Sequence, residues 1–377
     1  MAEPIMKIAV VGYGGMGQWH ADKAQSIPGM TLHGIYDIDP QQTALAESRA
    51  MKTYHSYEAV LQDPDIDLIT LAVPNDLHHP MAIAAMKAGK NVVCEKPVSL
   101  NSQELQSMLD TAREHRVLFT VHQNRRWDED FLTVKKLYDE GTLGEIFSIE
   151  SRVHGSRGIP GDWRGKAKHG GGMVLDWGVH LLDQILMMLS ERKLLTVQAT
   201  LFHVTNGEVD DGFRVILTFD RDLDVLVEVG TANFISLPRW YVLGQNGTSI
   251  VKNWDLSGES VMISDWENKD AIPVVTAAGL TKTMAPRTAD TIQSYPLPTV
   301  HADISDFYKN IREVLFFGAQ PIVKGGELLK NMHLIETIFA SGTQHQTLPF
   351  TFSEETEAEY NAPYTIKSAI GLLEKAE

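Results

Sequence analysis

Short apolar runs alternate with amphipathic segments along the first third of the chain. Five runs rich in β-branched residues have the continuous apolar character of buried parallel strands: residues 6–12, 31–37, 67–74, 91–97 and 117–123. Helical patterns separate these runs, in the segments MGQWHADKAQS, PQQTALAESRA, HHPMAIAAMKAG and SQELQSMLDTAREH. Strands that alternate with helices at this spacing predict a doubly wound parallel sheet, an α/β domain over residues 1–124.

The alternation of strand and helix patterns ends after residue 124. Strand-like runs then follow one another with short turns and no crossover helices, at residues 144–155, 213–220, 223–234 and 248–255. This pattern predicts a second, α+β domain with a largely antiparallel open β-sheet over residues 125–350. The last helical segments, near residues 301–342, are candidates to pack back on the first domain, and residues 351–377 form an amphipathic C-terminal tail.

Composition narrows the classes of function. A chain of 377 residues is long enough for two domains. A net charge of −16 and a pI near 5.3 disfavour nucleic acid and anionic membranes as partners. Neither a signal-peptide pattern nor an apolar run approaching the roughly 18 residues of a membrane span is evident. Cys94 is the single cysteine, which excludes an intramolecular disulfide and a cysteine-built zinc site. We therefore expect a cytoplasmic protein that acts on a small molecule.

The first predicted strand runs into a glycine-rich loop. Gly12, Gly14 and Gly17 form a G-x-G-x-x-G pattern between a strand and a helix, with Gly15 and Met16 at the start of that helix. The first glycine permits a tight turn, and the second lets the backbone approach a pyrophosphate at the helix N-terminus. This context indicates a Rossmann dinucleotide-binding site.

An acidic residue follows the second predicted strand. Asp37 stands near the position at which the dinucleotide fingerprint has an acid for the ribose hydroxyls. A carboxylate there would repel a 2′-phosphate, and the residues that follow offer no arginine to attract one. NAD is therefore favoured over NADP as the cofactor. The alternative is that Asp37 only caps a turn before Pro40.

The stretch GGGMVLDWGVHLLDQ, residues 170–184, carries polar side chains within an apolar run. On a helix, Asp176, His180 and Asp183 lie on one face. Buried polar groups need partners, because each unpaired group costs roughly 1–3 kcal/mol. The residues alone leave three interpretations open: a metal site, for which a third ligand is not evident, a structural pair in the core, or catalytic groups.

A basic segment precedes this stretch. Residues 152–169, RVHGSRGIPGDWRGKAKH, hold five Arg or Lys side chains against one acid. Such a segment clamps cofactor phosphates, binds an anionic or multiply hydroxylated substrate, or is a flexible surface loop. His154 and Trp163 are candidate sugar contacts, since an aromatic face stacks on a pyranose ring and a histidine hydrogen-bonds to hydroxyls.

Two further motifs follow neighbouring strands, PNDLH at residues 74–78 and EKP at residues 95–97. With the glycine fingerprint upstream and LDWGVHLLDQ downstream, they make the chain resemble the glucose–fructose oxidoreductase/inositol dehydrogenase/rhizopine-catabolism (Gfo/Idh/MocA) family over about residues 6–350. The resemblance implies a nicotinamide-dependent oxidoreductase that acts on sugars, cyclitols or related polyols. It also implies a homo-oligomer, commonly a dimer or tetramer, and we expect no metal.

The resemblance assigns roles to individual residues of the first domain. It makes Lys96 a catalytic residue that also contacts the cofactor and the substrate hydroxyl. It puts Pro74, Asn75 and Glu95 near the nicotinamide side of the cofactor and assigns His78 to the cofactor as well, although a histidine at a helix start is often only a packing residue.

Residues after the first domain receive roles in the same way. A tryptophan–arginine pair, here Trp163 and Arg164, is expected near the cofactor. Asn124 and Arg125 correspond to residues that line the cleft between the domains and contact the substrate. For Arg125, the alternative is a salt bridge at the domain interface.

Oxidation of a secondary alcohol removes a hydride, which the cofactor takes, and a proton, which the protein must accept. His180 is the candidate base, because the ordinary pKa of histidine, about 6.5, suits neutral pH. Asp176, one turn earlier, is expected to orient the ring of His180, and Lys96 to stabilise the developing alkoxide. The resemblance assigns the same three positions. Asp183 either binds a substrate hydroxyl or supports the site from behind.

These observations predict an NAD-dependent dehydrogenase of a sugar, glycoside or cyclitol. One alternative is a redox-neutral glycoside-processing enzyme that oxidises the sugar, often at C3, with NAD recycled in place. Another is a non-catalytic NAD-binding regulator. Retention of Lys96, Asp176 and His180 together speaks against the regulator, which would not need them.

Overall fold

The computed structural model describes residues 3–367, and its first sheet lies in the N-terminal third. The strands of this sheet are β1 (Met6–Val11), β2 (Met30–Tyr36), β3 (Leu68–Leu71), β4 (Asn91–Cys94) and β5 (Phe119–Val121). The helices around it are α1 (Gly15–Ser26), α2 (Pro40–Ser48), α3 (Tyr57–Gln62), α4 (Asn75–Lys87) and α5 (Ser102–His115). All strands are parallel, in the order β2-β1-β3-β4-β5. The predicted doubly wound sheet is confirmed.

The strands of this sheet end earlier than the apolar runs predict. β3 ends at Leu71 and β4 at Cys94; Pro74 and Pro97 follow, and neither has an N–H with which to continue a ladder. Every residue of both strands is buried, as expected for a sheet covered by helices on both faces. The segments after these strands therefore become loops at the carboxyl edge of the sheet, where α/β proteins bind their ligands.

The second sheet has nine strands, in the order β15-β12-β11-β10-β6-β9-β8-β7-β16. The strands of this part of the chain are β6 (Ile146–His154), β7 (Leu194–Phe202), β8 (Gly212–Phe219), β9 (Leu223–Gly230), β10 (Trp240–Gly244), β11 (Gly247–Val251), β12 (Gly258–Ile263), β13 (Val274–Thr276), β14 (Gly279–Thr281), β15 (Ile292–Tyr295) and β16 (Leu348–Pro349). Its helices are α6 (Glu129–Asp139), α7 (Val179–Met188), α8 (Ser305–Phe317), α9 (Gly325–Gln344) and α10 (Glu354–Asn361). The predicted, largely antiparallel second domain is confirmed.

One strand pair of this sheet is parallel. β6 pairs with β9 in parallel register, whereas the sequence pattern predicts short turns and no crossover helix. That expectation is wrong at this place, because a long loop, a π-helical turn at Val174–Gly178 and α7 separate β6 from β7. The segment GGGMVLDWGVHLLDQ is part of this crossover.

The two faces of the second sheet differ in exposure. Val197, Leu217, Val225, Ile149 and Val242 are register neighbours across five strands, and all are buried. The adjacent row on the opposite face is partly exposed and contains Ile216, Leu226, Tyr241 and Ile250. This face is the open side of the sheet.

The C-terminal segments return to the first domain. The backbone N–H and hydroxyl of Ser102, at the start of α5, donate to the Glu336 carboxylate of α9 at 2.7 and 2.8 Å. Tyr360 of α10 donates its hydroxyl to Asp110 of α5 at 2.7 Å. Residues 368–377 of the predicted tail lie outside the described residues. No helix within residues 3–367 combines the length and apolar character that a membrane crossing requires.

Candidate active site

The glycine loop joins β1 to α1 at the carboxyl edge of the first sheet. Gly12 has a φ of +88°, and a Cβ there would lie 2.3 Å from the carbonyl oxygen of Ala72, so only glycine fits. A Cβ on Gly17 would lie 1.9 Å from the carbonyl oxygen of Gly12, which fixes how closely α1 packs on the loop. Gly14 and Gly15, in contrast, face open space, with no atom within 4 Å of a built Cβ.

This arrangement fits a dinucleotide. Within the described residues, no side chain caps the N-terminus of α1, so the first N–H groups of the helix are available to an anion. The loop lies where β1 is flanked by β2 on one side and β3 on the other, which is the topological switch point of the sheet. Gly14, Gly15 and Met16 would hold the pyrophosphate there.

Asp37 immediately follows β2 and contacts the same loop. One carboxylate oxygen accepts from the backbone N–H of Tyr13 at 2.5 Å, and the other accepts from that of Asp39 at 2.8 Å. The helix cap before Pro40 is Asp39, whose side chain accepts from Gln41. Asp37 therefore joins the end of β2 to the glycine loop, and its side chain lies at the edge of the nucleotide crevice.

A cavity of about 750 Å³ opens from the glycine loop towards the second domain. The residues of the sequence prediction that line it are Gly14, Gly15, Met16, Pro74, Asn75, Glu95, Lys96, Asn124, Arg125, Trp163, Arg164, Asp176 and His180. Ala72, Val73, Pro160 and Trp177 complete the lining. The carboxyl ends of β3 and β4 thus face the π-helical turn and α7 across one cavity.

Lys96 and Asp176 form an ion pair across this cavity. The Lys96 Nζ donates to Asp176 Oδ1 at 3.0 Å and to the Asp176 backbone carbonyl at 2.9 Å. The Arg164 Nε donates to the other carboxylate oxygen at 3.2 Å. Burial opposes ionisation of Asp176, but the charges of Lys96 and Arg164 outweigh it and hold the pKa of Asp176 below its usual value. The peptide bond between Lys96 and Pro97 is cis.

His180 lines the cavity as a buried, uncharged imidazole. His180 is 3% exposed. Its Nδ1 has no hydrogen-bond partner within the described part of the chain. Burial, followed by the positive charges of Lys96 and Arg125, lowers the pKa of His180 well below its usual value. The ring is therefore neutral at neutral pH.

The expected contact between Asp176 and His180 is absent from the hydrogen bonds of the described residues, so that expectation is wrong. Two physical reasons explain this. Asp176 lies in the π-helical turn, whose wider turn shifts the i, i+4 alignment of a regular α-helix. Lys96 and Arg164 also occupy both of its carboxylate oxygens.

Asp183 has a buried cationic partner instead of facing the cavity. Its two oxygens accept from Nε and Nη2 of Arg126, both at 2.7 Å. Arg126 also donates to Glu327 of α9 at 2.9 Å. Within the described residues, Asp183 is not part of the cavity lining. The structure thus places Asp183 behind the site, in the supporting position that was the alternative to substrate binding.

Two predicted histidines are also away from the cavity surface. His78 has both ring nitrogens near backbone carbonyls, Nδ1 at 2.8 Å from Pro97 and Nε2 at 2.9 Å from Val73. His78 therefore connects the loops that follow β3 and β4. The expected contact with the cofactor is wrong, and the role of this side chain is structural. His154 Nε2 contacts Glu228 at 2.8 Å. These two buried side chains, outside the cavity lining, form a pair that replaces the expected sugar contact.

The basic loop reaches the cavity through Pro160, Trp163 and Arg164. Trp163 and Arg164 line it, with the guanidinium 4.4 Å from the indole centroid. The loop is attached to the first domain where Asn75 Nδ2 donates to the carbonyl of Gly170 at 3.1 Å. These contacts argue against a free surface loop at this position.

Sequence reasoning missed three groups around the site. Trp177 lines the cavity and has the Arg125 guanidinium 4.1 Å from its ring centroid; its place between Asp176 and His180 was the available signal. The imidazoles of His20 and His122 both contact the carboxylate of Glu95, at 2.7 and 2.8 Å. Their separation along the chain offered no signal.

The two domains match two sequence profiles of one family. Residues 6–123 match the profile described as an oxidoreductase family with an NAD-binding Rossmann fold. Residues 131–250 match the profile of the GFO/IDH/MocA C-terminal domain.

Individual relatives align over much of the chain. The scyllo-inositol 2-dehydrogenase (NADP(+)) IolW of Bacillus subtilis is 27% identical over 350 residues, covering 91% of this chain and 95% of that protein. The myo-inositol 2-dehydrogenase of Thermotoga maritima is 28% identical over 190 residues, covering 49% of this chain and 55% of that protein. The crystal structure of an NAD-binding protein from Listeria innocua is 44% identical, with a TM-score of 0.89, and covers 92% of this chain and all of that one. The chain therefore belongs to the Gfo/Idh/MocA family of oxidoreductases, with an NAD-binding Rossmann domain followed by the C-terminal domain of that family.

Proposed function

We propose that the protein transfers a hydride between NAD and a secondary hydroxyl of a sugar, glycoside or cyclitol. The observation that carries this proposal is that Lys96, Asp176 and His180 lie in one cavity with the glycine loop. A proton acceptor, a cation and a dinucleotide crevice are the parts that alcohol oxidation requires.

The side chains have complementary roles in this reaction. As the carbinol C–H bond breaks, the hydroxyl proton passes to the neutral imidazole of His180, leaving a ketone. Lys96, held by Asp176 at 3.0 Å, stabilises the negative charge that develops on the oxygen. A bound nicotinamide would supply the acceptor for the hydride. Asp176 is thus a positioning residue for Lys96 rather than for His180.

The polarity of the cavity supports a multiply hydroxylated substrate. Asn124, Arg125 and Arg164 add hydrogen-bonding groups to the reacting centre, and Trp163 and Trp177 supply aromatic faces. The Asn124 Oδ1 has no hydrogen-bond partner within residues 3–367. The names of the two inositol dehydrogenases among the relatives agree with this substrate class.

The carboxylate of Asp37 supports NAD over NADP, because it would repel a 2′-phosphate. IolW carries NADP(+) in its name, so the preference of this chain rests on its own Asp37.

The test is an assay with NAD and a panel of inositols, free sugars and aryl glycosides, followed by NADH absorbance and by aglycone release. We expect NADH from at least one member of the panel. Lys96→Ala and His180→Ala should each lower turnover by about 10²-fold or more while NAD affinity stays near that of the wild type. Lys168→Ala, an exposed position of the same basic loop outside the cavity lining, is the control.

Three results would contradict the proposal. Turnover at the wild-type rate in the Lys96 or His180 variant would show that the substituted residue does not take part in the reaction. Aglycone release without net NADH would point to internal recycling of the cofactor. NAD binding without NADH formation or aglycone release from any member of the panel would favour a non-catalytic NAD-binding regulator.

A further inference from the structure

The carboxylate of Glu95 is buried at the point where the two halves of the cavity meet. Glu95 directly follows β4, precedes Lys96 and is 6% exposed, yet it lines the cavity. A buried carboxylate is costly unless its oxygens receive hydrogen bonds. The source of those bonds determines what Glu95 can do.

Two histidines from separate elements supply the hydrogen bonds. His20 of α1 has its Nε2 at 2.7 Å from Glu95 Oε1, and His122, which follows β5, has its Nδ1 at 2.8 Å from the same oxygen. The backbone N–H of Lys96 donates to Oε2 at 3.2 Å. Hydrogen bonds therefore connect Glu95 to α1, to the residue that follows β5 and to the backbone of Lys96.

The hydrogen bonds also determine the tautomers of both rings. An ionised carboxylate only accepts, so His20 Nε2 and His122 Nδ1 both donate. Tyr308 of α8 lies with its hydroxyl 2.6 Å from His20 Nδ1, which accepts and completes a neutral ring. His122 Nε2 has no partner within the described residues, and a second buried N–H at this atom would find no acceptor there.

The hydrogen bonds of the cluster thus support an ionised Glu95. Burial raises the pKa of Glu95, but its interactions with His122 and His20 outweigh burial and hold that pKa well below its usual value. Burial lowers the pKa of His20, which keeps this ring neutral. The ammonium of Lys96 is meanwhile paired with Asp176.

We propose that His20 and His122 are positioning residues that hold Glu95 as a fixed anion beside the nicotinamide, so that the protein binds the oxidised cofactor more tightly than the reduced one. This inference rests on the proposed function: if the reacting hydroxyl lies at Lys96 and His180, a bound nicotinamide would lie next to them, beside Glu95. The oxidised ring is cationic and is attracted by a buried carboxylate, whereas the reduced ring is neutral. The inference needs nicotinamide binding but no particular substrate.

The first experiment compares the dissociation constants (Kd) of NAD⁺ and NADH, measured by fluorescence titration of the full-length protein without substrate. Glu95→Gln keeps the shape of the side chain and removes its charge. We expect the ratio Kd(NAD⁺)/Kd(NADH) to rise on the order of tenfold. An equal change for both forms, or an unchanged ratio, would overturn the proposal. Because no substrate is present, failure of the proposed reaction leaves this result unaffected.

The second experiment tests the two histidines. His122→Leu removes the N–H donor, and His122→Gln retains one; the same pair is made at His20. We expect the ratio to rise in the leucine variants and to return towards the wild-type value in the glutamine variants. His154→Leu breaks a matched buried pair with Glu228, outside the cavity lining, and should leave the ratio unchanged.

Other outcomes of these experiments are decisive as well. Identical ratios in the leucine and glutamine variants would show a purely structural role and overturn the proposal. If a leucine variant does not fold, the Glu95→Gln and glutamine variants still decide the question. His20, Glu95 and His122 each have a nitrogen or oxygen atom that could bind a metal ion, and these atoms lie within 4.8 Å of one another. The metal content of the protein is therefore measured too. Stoichiometric metal that is lost in Glu95→Gln would neutralise the carboxylate and overturn the proposal.

Discussion

At the residue scale, Asp37 contacts the glycine loop and is the proposed determinant of cofactor preference. It accepts hydrogen bonds from the backbone of Tyr13 and Asp39, and its charge would oppose a 2′-phosphate. Asp37→Ala should therefore lower the ratio Kd(NADP)/Kd(NAD) on the order of tenfold. Asp39→Ala, which removes only the cap of α2, is the control. A ratio that stays the same in Asp37→Ala would refute the role of its charge.

Asp183 provides a contrast between stability and catalysis. Its carboxylate and the guanidinium of Arg126 are each about 4% exposed and form a bidentate pair. Removal of one charge leaves the other buried, so Asp183→Asn should lower the free energy of unfolding by about 3 kcal/mol. Urea denaturation measures this. Asp306→Asn, which disrupts the exposed pair with Lys309, should cause a change near zero.

The supporting role of Asp183 has a kinetic counterpart. The folded fraction of Asp183→Asn should bind substrate with nearly the wild-type KM, because the side chain is not part of the cavity lining. Wild-type stability together with a raised KM would instead place Asp183 in contact with the substrate.

At the element scale, the start of the π-helical turn depends on Asp210. Its carboxylate accepts from the backbone N–H of Val174, the first residue of the π-helical turn, at 2.8 Å. A Cβ on Gly172 would lie 2.3 Å from Asp210 Oδ1, so glycine permits this close approach. Burial raises the pKa of Asp210 to about 7.

This raised pKa predicts a pH dependence of stability. The folded state binds the Asp210 proton up to about pH 7, whereas an unfolded aspartate releases it near pH 4. The contribution of the group is therefore fully present below about pH 4 and is lost as the pH rises to about 7. Relative to Asp210→Asn, which does not titrate, the wild type should lose stability over this interval. Denaturation of both proteins at several pH values checks it, and parallel curves would contradict the assignment.

At the scale of the whole molecule, the open face of the second sheet predicts self-association. Its row of Ile216, Leu226, Tyr241 and Ile250 is partly exposed, opposite a fully buried row. We expect a dimer or tetramer in sedimentation experiments, and Ile216→Lys should shift it towards the monomer without loss of fold. Val275→Lys, on the separate β13–β14 hairpin, is the control. A wild-type monomer would contradict the prediction.

Local patterns in the sequence were sufficient for much of this molecule. Apolar runs separated by helical patterns determined the parallel sheet and the change to an antiparallel domain, because burial and backbone hydrogen bonding act through short-range periodicity. The glycine loop and His180 were recognisable from local spacing as well, whereas the role of Lys96 was implied by the resemblance of its Glu-Lys-Pro motif to the family.

Only the tertiary structure decided which polar groups contact each other. Asp176 binds Lys96, Asp183 binds Arg126 and Glu95 binds His20 and His122, and in each case the partners come from elements distant in the chain. Helical periodicity could not anticipate the π-helical turn that separates Asp176 from His180. Periodicity reports which side of an element is buried, whereas the pairing of buried charges depends on how the elements cross, which is settled only when the whole chain packs.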